Sequence, residues 1–198
     1  MVLYFADLSF NTSGCSPEQG DLMGMLSNKY KHNTCPKFLD PKSDQFHISE
    51  DQTTLINFGS FKWCSTPLDI EYKWGNIYHY TLVTFGAQMM TGLCENVNTH
   101  DPNCPLQKRF STVDYEGMFH AEDELTFVYD LTGLDKGEMY LVVNGKPMGL
   151  VTCFEKSDSY TPLVYLAYHG DKVKLINESC MPCCDWKVIK KVRLDSWF

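Results

Sequence analysis

Met139-Tyr140-Leu141-Val142-Val143-Asn144-Gly145-Lys146-Pro147-Met148-Gly149 is the stretch that decides the fold class. Its apolar, partly β-branched start suits a pleated, half-buried strand. The run stops on Asn-Gly, the pair best fitted to a two-residue hairpin, because a type I′ turn needs positive φ at both central positions. A strand that reverses so tightly has an antiparallel neighbour. The same grammar recurs on either side. Leu125-Thr126-Phe127-Val128-Tyr129-Asp130-Leu131 alternates, and Tyr78-His79-Tyr80-Thr81-Leu82-Val83-Thr84-Phe85 is aromatic and β-branched. In Leu68-Asp69-Ile70-Glu71-Tyr72-Lys73-Trp74 the odd members share an apolar face and the charges share the other, which predicts a further strand. Pro162-Leu163-Val164-Tyr165-Leu166-Ala167-Tyr168 breaks at His169-Gly170-Asp171 and resumes as Lys172-Val173-Lys174-Leu175-Ile176, which reads as a second hairpin. No apolar period of the helical kind is sustained. The expectation is an all-β chain, a two-sheet antiparallel β-sandwich of jelly-roll-like character.

Composition bounds what such a chain does. Its 198 residues favour one domain, and 43% hydrophobic residues are too many for a disordered chain. No apolar run approaches the ~20 residues of a spanning helix. The start, Met1-Val2-Leu3-Tyr4-Phe5-Ala6-Asp7, meets an acid at once and does not read as a secretory signal. Net charge is −8, and residues 46–170 hold 16 acidic groups against 7 basic ones. That surface repels a phosphate backbone, so nucleic acid is not an expected partner. The basic tail, Trp186-Lys187-Val188-Ile189-Lys190-Lys191-Val192-Arg193-Leu194, reads as a solvated final strand or short helix. Its sharper reading is a weak anionic-lipid contact, at about 1 kcal/mol per basic residue. Nine cysteines is an odd count, and with no signal sequence it points to a reducing, cytoplasmic setting. Three regions are expected. Residues 1–45 form an irregular extension, punctuated by Gly and Pro, that packs on or flanks the sandwich, with one helical turn near 22–26. Residues 46–176 form the sandwich, and 177–198 a basic segment whose last strand pairs with residues 2–10.

Catalytic signatures are missing. The Cys180-Met181-Pro182-Cys183-Cys184 segment contains a CxxC but no second pair, whereas a structural zinc normally needs four ligands. Cys94, His100 and Cys104 form a separate cluster of ligand types. No metal and no cofactor is expected. There is no Gly-x-Ser-x-Gly elbow, and Gly133-Leu134-Asp135-Lys136-Gly137 lacks the phosphate-loop register. His120 beside Ala121-Glu122-Asp123-Glu124 reads as a turn at a strand entrance. The chain is not expected to be an enzyme, although dispersed carboxylates of the glycosidase kind meet only in three dimensions.

Three segments in order resemble the neuralized homology repeat, a β-sandwich of the wider SPRY-like architecture. They are Thr91-Gly92-Leu93-Cys94-Glu95-Asn96-Val97-Asn98-Thr99-His100-Asp101-Pro102; the pair Glu122-Asp123-Glu124-Leu125-Thr126-Phe127 and Met139 to Gly149; and Leu163 to Leu175. Upstream, Ile48-Ser49-Glu50-Asp51-Gln52-Thr53-Thr54-Leu55 is similar to the family's early Ser-x-Asp-x-Thr element. In two places the chain departs from the pattern: His169 stands where the family's Tyr precedes Gly170, and the family's His-x-x-x-Gly-x-Asn opening is absent. The resemblance implies a non-catalytic protein-interaction module that binds a protein or peptide through loops at one end of the sandwich, or self-associates, as in adaptors and substrate-recognition parts of ubiquitin ligases. Candidate loops are residues 57–65, 98–108, 131–138 and 154–161. The partner-binding residues expected within them are Phe61, Trp63, His100, Asp101, Phe154 and Tyr160, chosen as the aromatic and polar types enriched at binding hot spots. Phe61 and Trp63 alternate equally well into the core. A lectin-like or small-ligand sandwich is the alternative, since aromatic-rich sandwiches also hold sugars.

Overall fold

A computed structural model describes residues 36–40, 43–59, 63–85, 89–99, 101–102, 113–114 and 120–176. The readings placed on residues 2–10, 22–26 and 177–198, on Phe61, on His100 and on the CxxC lie outside the described residues. The strands in chain order are β1 (Phe46–Ile48), β2 (Thr54–Asn57), β3 (Cys64–Pro67), β4 (Tyr72–Lys73), β5 (Ile77–Thr84), β6 (Met89–Cys94), β7 (Val113–Asp114), β8 (Glu124–Asp130), β9 (Lys136–Val143), β10 (Lys146–Glu155), β11 (Ser159–Leu166) and β12 (Lys172–Ile176). One 3-10 turn, Val97–Thr99, follows β6. Two antiparallel sheets result. The larger has the order β1-β2-β12-β5-β8-β9-β10, and the smaller β3-β11-β6-β7, with β4 also paired to β11. This is the two-sheet antiparallel sandwich expected from the pattern of short strands.

The Asn144-Gly145 hairpin is built as its residues require. Both adopt positive φ, 48° and 75°, which joins β9 to β10 by the tightest reversal available. Asn144 also binds across to β8. Its backbone N–H donates to Glu124 O at 2.8 Å, its Oδ1 accepts the Glu124 N–H at 2.8 Å, and its amide nitrogen reaches Asp123 Oδ1 at 2.7 Å. The turn thereby fixes the register of three strands.

Two expectations fail for traceable reasons. The break at His169-Gly170 is not a hairpin, because β11 lies in the small sheet and β12 in the large one. The segment crosses between layers and pairs with the end of β2 instead: Gly170 N–H donates to Asn57 O at 2.7 Å, and Asn57 N–H to Asp171 O at 2.9 Å. The alternating run from Leu68 to Trp74 is a strand only at Tyr72 and Lys73. Its alternation still reports burial: Leu68 and Tyr72 are inaccessible, and Ile70 and Trp74 pack partly against the core. Leu68 bridges Phe38 and donates its N–H to Pro162 O at 3.0 Å, and Asp69 Oδ1 accepts the Lys37 N–H at 2.7 Å, so upstream chain holds the start of the run and β11 pairs its end.

Between the sheets lies a continuous aromatic layer. Tyr72 stacks on Tyr78 at 4.4 Å between centroids and tilts against Tyr129 at 5.3 Å. Phe154 meets Tyr129 edge-on at 6.5 Å and Tyr160 edge-on at 5.4 Å. Offset and edge-to-face contacts are the arrangements that ring quadrupoles favour. The hydroxyls converge on one threonine. Thr91 Oγ1 lies at hydrogen-bond distance from Tyr80 OH, sits 3.0 Å from Tyr129 OH, and donates to Leu163 O at 3.1 Å. Burial pushes the Tyr129 phenol up to about 12 and also raises that of Tyr80, so both stay neutral as the network requires.

Candidate functional site at the edge of the small sheet

β3 is the terminal strand of the small sheet, and an open strand edge invites pairing with other chains. Here the edge is occupied. Ser65 N–H donates to Pro102 O at 3.1 Å, and Leu39 N–H donates to Pro67 O at 2.9 Å. Pro67 itself has no N–H to offer. Between these two closures a cavity of about 230 Å³ opens, lined by Leu39, Asp40, Ser65, Pro67, Val97, Asn98 and Pro102. The volume falls below the roughly 300–1,000 Å³ of small-molecule sites. It suits one or two amino-acid side chains. The 3-10 turn sets one wall, stabilised by the Asn98 N–H donating to Asn96 Oδ1 at 2.9 Å.

Of the six residues singled out from the sequence, the four that lie among the described residues separate clearly. Asp101 is exposed next to Pro102 at the cavity. Trp63 precedes β3 and is half-buried against a small apolar cluster of Cys94, Leu163 and Tyr165, together with Met90 and Val97. Val97 belongs both to that cluster and to the cavity lining. Phe154 and Tyr160 are not on a rim. They are 9% and 3% exposed and belong to the central core. The candidate loop over residues 154–161 is largely strand, because β10 runs to Glu155 and β11 starts at Ser159. Two register shifts in β10, at Pro147/Gly149 and Leu150/Thr152, re-aim the strand. Phe154 then lies over Gly137, where an added Cβ would stand 2.3 Å from the ring. The Tyr160 hydroxyl donates to Glu155 O across the turn.

Charge around the cavity is negative on its near rim, with Asp40 lining it and Asp101 beside it. Cys94, in the cluster that also holds Val97, has its thiol pushed up to about 11 by burial, which makes it a poor nucleophile. The acidic turn at residues 122–124 lies away from this cavity's lining. Asp123 is held at the entrance of β8, its carboxyl lowered first by the His120 N–H and then by the Asn144 amide. Among the described residues no group of three His, Cys, Asp or Glu side chains is placed to hold a metal ion.

Sequence reasoning missed the most exposed aromatic group of the described residues, Phe58, at 55%. It lies within a loop already marked, six residues before Cys64, the buried first residue of β3. The available signal was alternation: Leu55 and Asn57 point inward, so the next residue points out.

No protein-family model matches the chain, and no curated protein matches it. Solved structures do. The Drosophila melanogaster neuralized NHR1 domain aligns with a TM-score of 0.59 at 12% identity, over 72% of this chain and 98% of that one. The SPRY domain of human HERC1 aligns with a TM-score of 0.54 at 18% identity, over 72% and 98%. The TRIM65 PSpry domain gives 0.53 at 13%, over 80% and 99%. The chain therefore has an NHR/SPRY-like fold.

Proposed function

We propose that this chain is a non-catalytic protein-interaction module that binds a peptide or protein at the β3 cleft. The observation that carries the reading is a side-chain-sized apolar cavity, flanked by Asp40 and Asp101, on an edge whose Ser65 N–H and Pro67 carbonyl are already taken. With the backbone edge closed, recognition relies on side chains. An apolar anchor enters between Pro67, Val97 and Pro102, and a neighbouring Lys or Arg of the partner meets the carboxylates. Trp63 packs in the apolar cluster that also holds Val97. Cys64, Cys94 and Cys153 are thiols rather than disulfide halves, which fits a reducing, cytoplasmic compartment. A place in an adaptor or in the substrate-recognition part of a ubiquitin ligase is consistent with the fold resemblance.

Selection of displayed peptides on the immobilised protein tests the reading. Enriched peptides should pair an apolar residue with a basic one, and Val97→Arg should weaken them by about tenfold or more. Asp40→Asn with Asp101→Asn should act chiefly by slowing association, and the effect should shrink as salt rises. Peptides that bind Val97→Arg as well as the native chain, with no dependence on salt, would overturn it.

A further inference from the structure

The outer face of the large sheet, turned away from the small one, is buried where a two-layer sandwich leaves it wet. An antiparallel sheet covered on one side alternates buried and solvated residues along each strand. β8 does not: every residue from Leu125 to Asp130 is buried, and β9 is buried without a break from Met139 to Val142. Leu125, Phe127, Tyr129, Met139 and Leu141 face the central core. Their alternates Val128, Tyr140 and Val142 are 0%, 3% and 4% exposed on the opposite face, where Thr81, Thr126 and Asp130 are buried as well. The apolar side chains gathered there among the described residues, Ile77, Val128, Tyr140, Val142 and Leu150, all belong to the sheet itself. One layer does not shield its own face to that depth, so this face takes a cover.

Register lays the face out in cross-strand rows. Ile176, Thr81, Thr126 and Val142 form one, and His79, Val128, Tyr140 and Leu150 the next. Ile77, Asp130 and Glu138 form a third, in which the two carboxylates stand directly opposite each other. At the two margins the charges offset one another. Lys136 is opposite Glu155, and Lys174 and Glu124 flank Val83, with Asp51 acting on Lys174. The face is therefore apolar in the middle and acidic at the Asp130–Glu138 pair.

We propose that residues 177–198 fold back over this face, with Trp186 to Leu194 as the covering segment. The exit of the chain, its reach and its chemistry single out that occupant. β12 ends at Ile176 in the Thr81 row, so the chain leaves the sheet at the rim of the face, and 22 residues of the sequence follow. β9 is three strands away, about 15 Å at ~4.8 Å per strand, and the extended stretch 177–185 spans up to about 30 Å. Trp186, Val188, Val192 and Leu194 share one phase of a period-2 alternation, an apolar edge to lie on Val128, Tyr140 and Val142. Lys190 falls in that same phase, a single cation among apolar neighbours that matches the carboxylate pair. Lys187, Ile189, Lys191 and Arg193 fall in the other. Residues 1–35 join the sandwich elsewhere, at the β1–β2 turn and β3, where the Phe38 N–H donates to Gln52 O and the Leu39 N–H to Pro67 O.

The test is photo-crosslinking in the intact chain, with p-benzoylphenylalanine in place of Trp186 and the products mapped by mass spectrometry. Crosslinks should stay within one chain and fall on residues 77–84 or 124–155. Lys190→Glu should lower their yield by about twofold to fivefold, and Glu138→Lys on that background should restore it. The same probe in place of Phe5 should leave both stretches untouched. Peptides selected at the β3 cleft should bind Lys190→Glu as they bind the native chain, so the two readings fail separately. Crosslinks from position 186 that map to the small sheet, or that join two copies of the chain, would overturn the proposal. So would crosslinks from position 5 onto Tyr140 or Val142, which would make residues 1–35 the cover, or a yield indifferent to Lys190→Glu.

Discussion

Phe154 and Phe58 are the same residue type, each at the end of a strand of the same sheet, with opposite fates. The first is 9% exposed over Gly137 and the second 55% exposed beside two imidazoles. Distance from a loop does not separate them. What does is the phase of the strand each one ends. β10 carries bulges that turn Phe154 inward, whereas β2 is regular and its alternation delivers Phe58 outward. In a sandwich an aromatic residue is assigned to core or to rim by the register of its strand, and bulges change that register.

The largest effect available on this contrast comes from truncating the inner ring. Phe154→Ala should destabilise the fold by about 3–5 kcal/mol, while Phe58→Ala should change stability by less than about 0.5 kcal/mol. Chemical denaturation of the two variants reads the difference directly. Gly137→Ala sharpens it, because its added methyl meets the Phe154 ring at 2.3–3.0 Å. On the native background that substitution should cost about 1–3 kcal/mol. On the Phe154→Ala background the methyl has space and the cost should largely vanish, so a double-mutant cycle should give strong coupling. Additive effects would mean that Phe154 does not lie over Gly137.

The hydroxyls inside the aromatic layer offer a second, smaller contrast. Tyr129 OH shares Thr91 with Tyr80, so Thr91→Val leaves the two buried phenols only each other and should cost about 1 kcal/mol. The Tyr72 hydroxyl is equally buried and has no hydrogen-bond partner among the described residues. Tyr72→Phe should therefore raise stability by about 1 kcal/mol, with the ring stack on Tyr78 retained. Thermal unfolding of the two variants should shift in opposite directions.

How far the sequence carries one follows from these cases. Wherever one chemical preference dominates, the reading holds: Asn144-Gly145 can hardly do anything but reverse, and Lys172 to Ile176 is β12 to the residue. Where the outcome depends on which sheet receives a strand, local pattern is silent. Val164, Tyr165, Leu166 and Ala167 are buried whichever neighbour they take, so nothing in them announces that the chain then changes layer. The cleft was legible only in part. Asp101-Pro102 marked one wall, but the other is Leu39 and Asp40, brought in from an upstream segment by a backbone bond that no spacing encodes. Phe154 and Tyr160 were misplaced because bulges lengthen β10 without a distinctive residue to flag them, apart from Gly149 at φ 106°.

The smallest predicted effect sets two turn carboxylates against each other. Asp51 closes the β1–β2 turn, where Ser49 Oγ, the Thr53 N–H and Thr53 Oγ1 all donate to it, and these bonds lower its carboxyl to about 2. A folded-state value below the unfolded one of about 3.9 means that its contribution is complete above that pH. It is lost as pH falls toward about 2. Asp171 has the opposite sign. Burial, the dominant cause, raises its carboxyl despite the Tyr168 and Ala167 N–H groups, so its contribution is present when it is protonated and is lost as pH rises through its folded value. Acidification from neutral pH should first relieve Asp171 and only then undo Asp51. Urea midpoints taken from pH 7 down to pH 2.5 should accordingly fall late. Asp51→Asn should flatten the low-pH loss, and Asp171→Asn, whose amide oxygen still accepts the Tyr168 N–H, should flatten the gain that precedes it. Identical pH profiles for the two variants would show that neither turn titrates as its hydrogen bonds and burial demand.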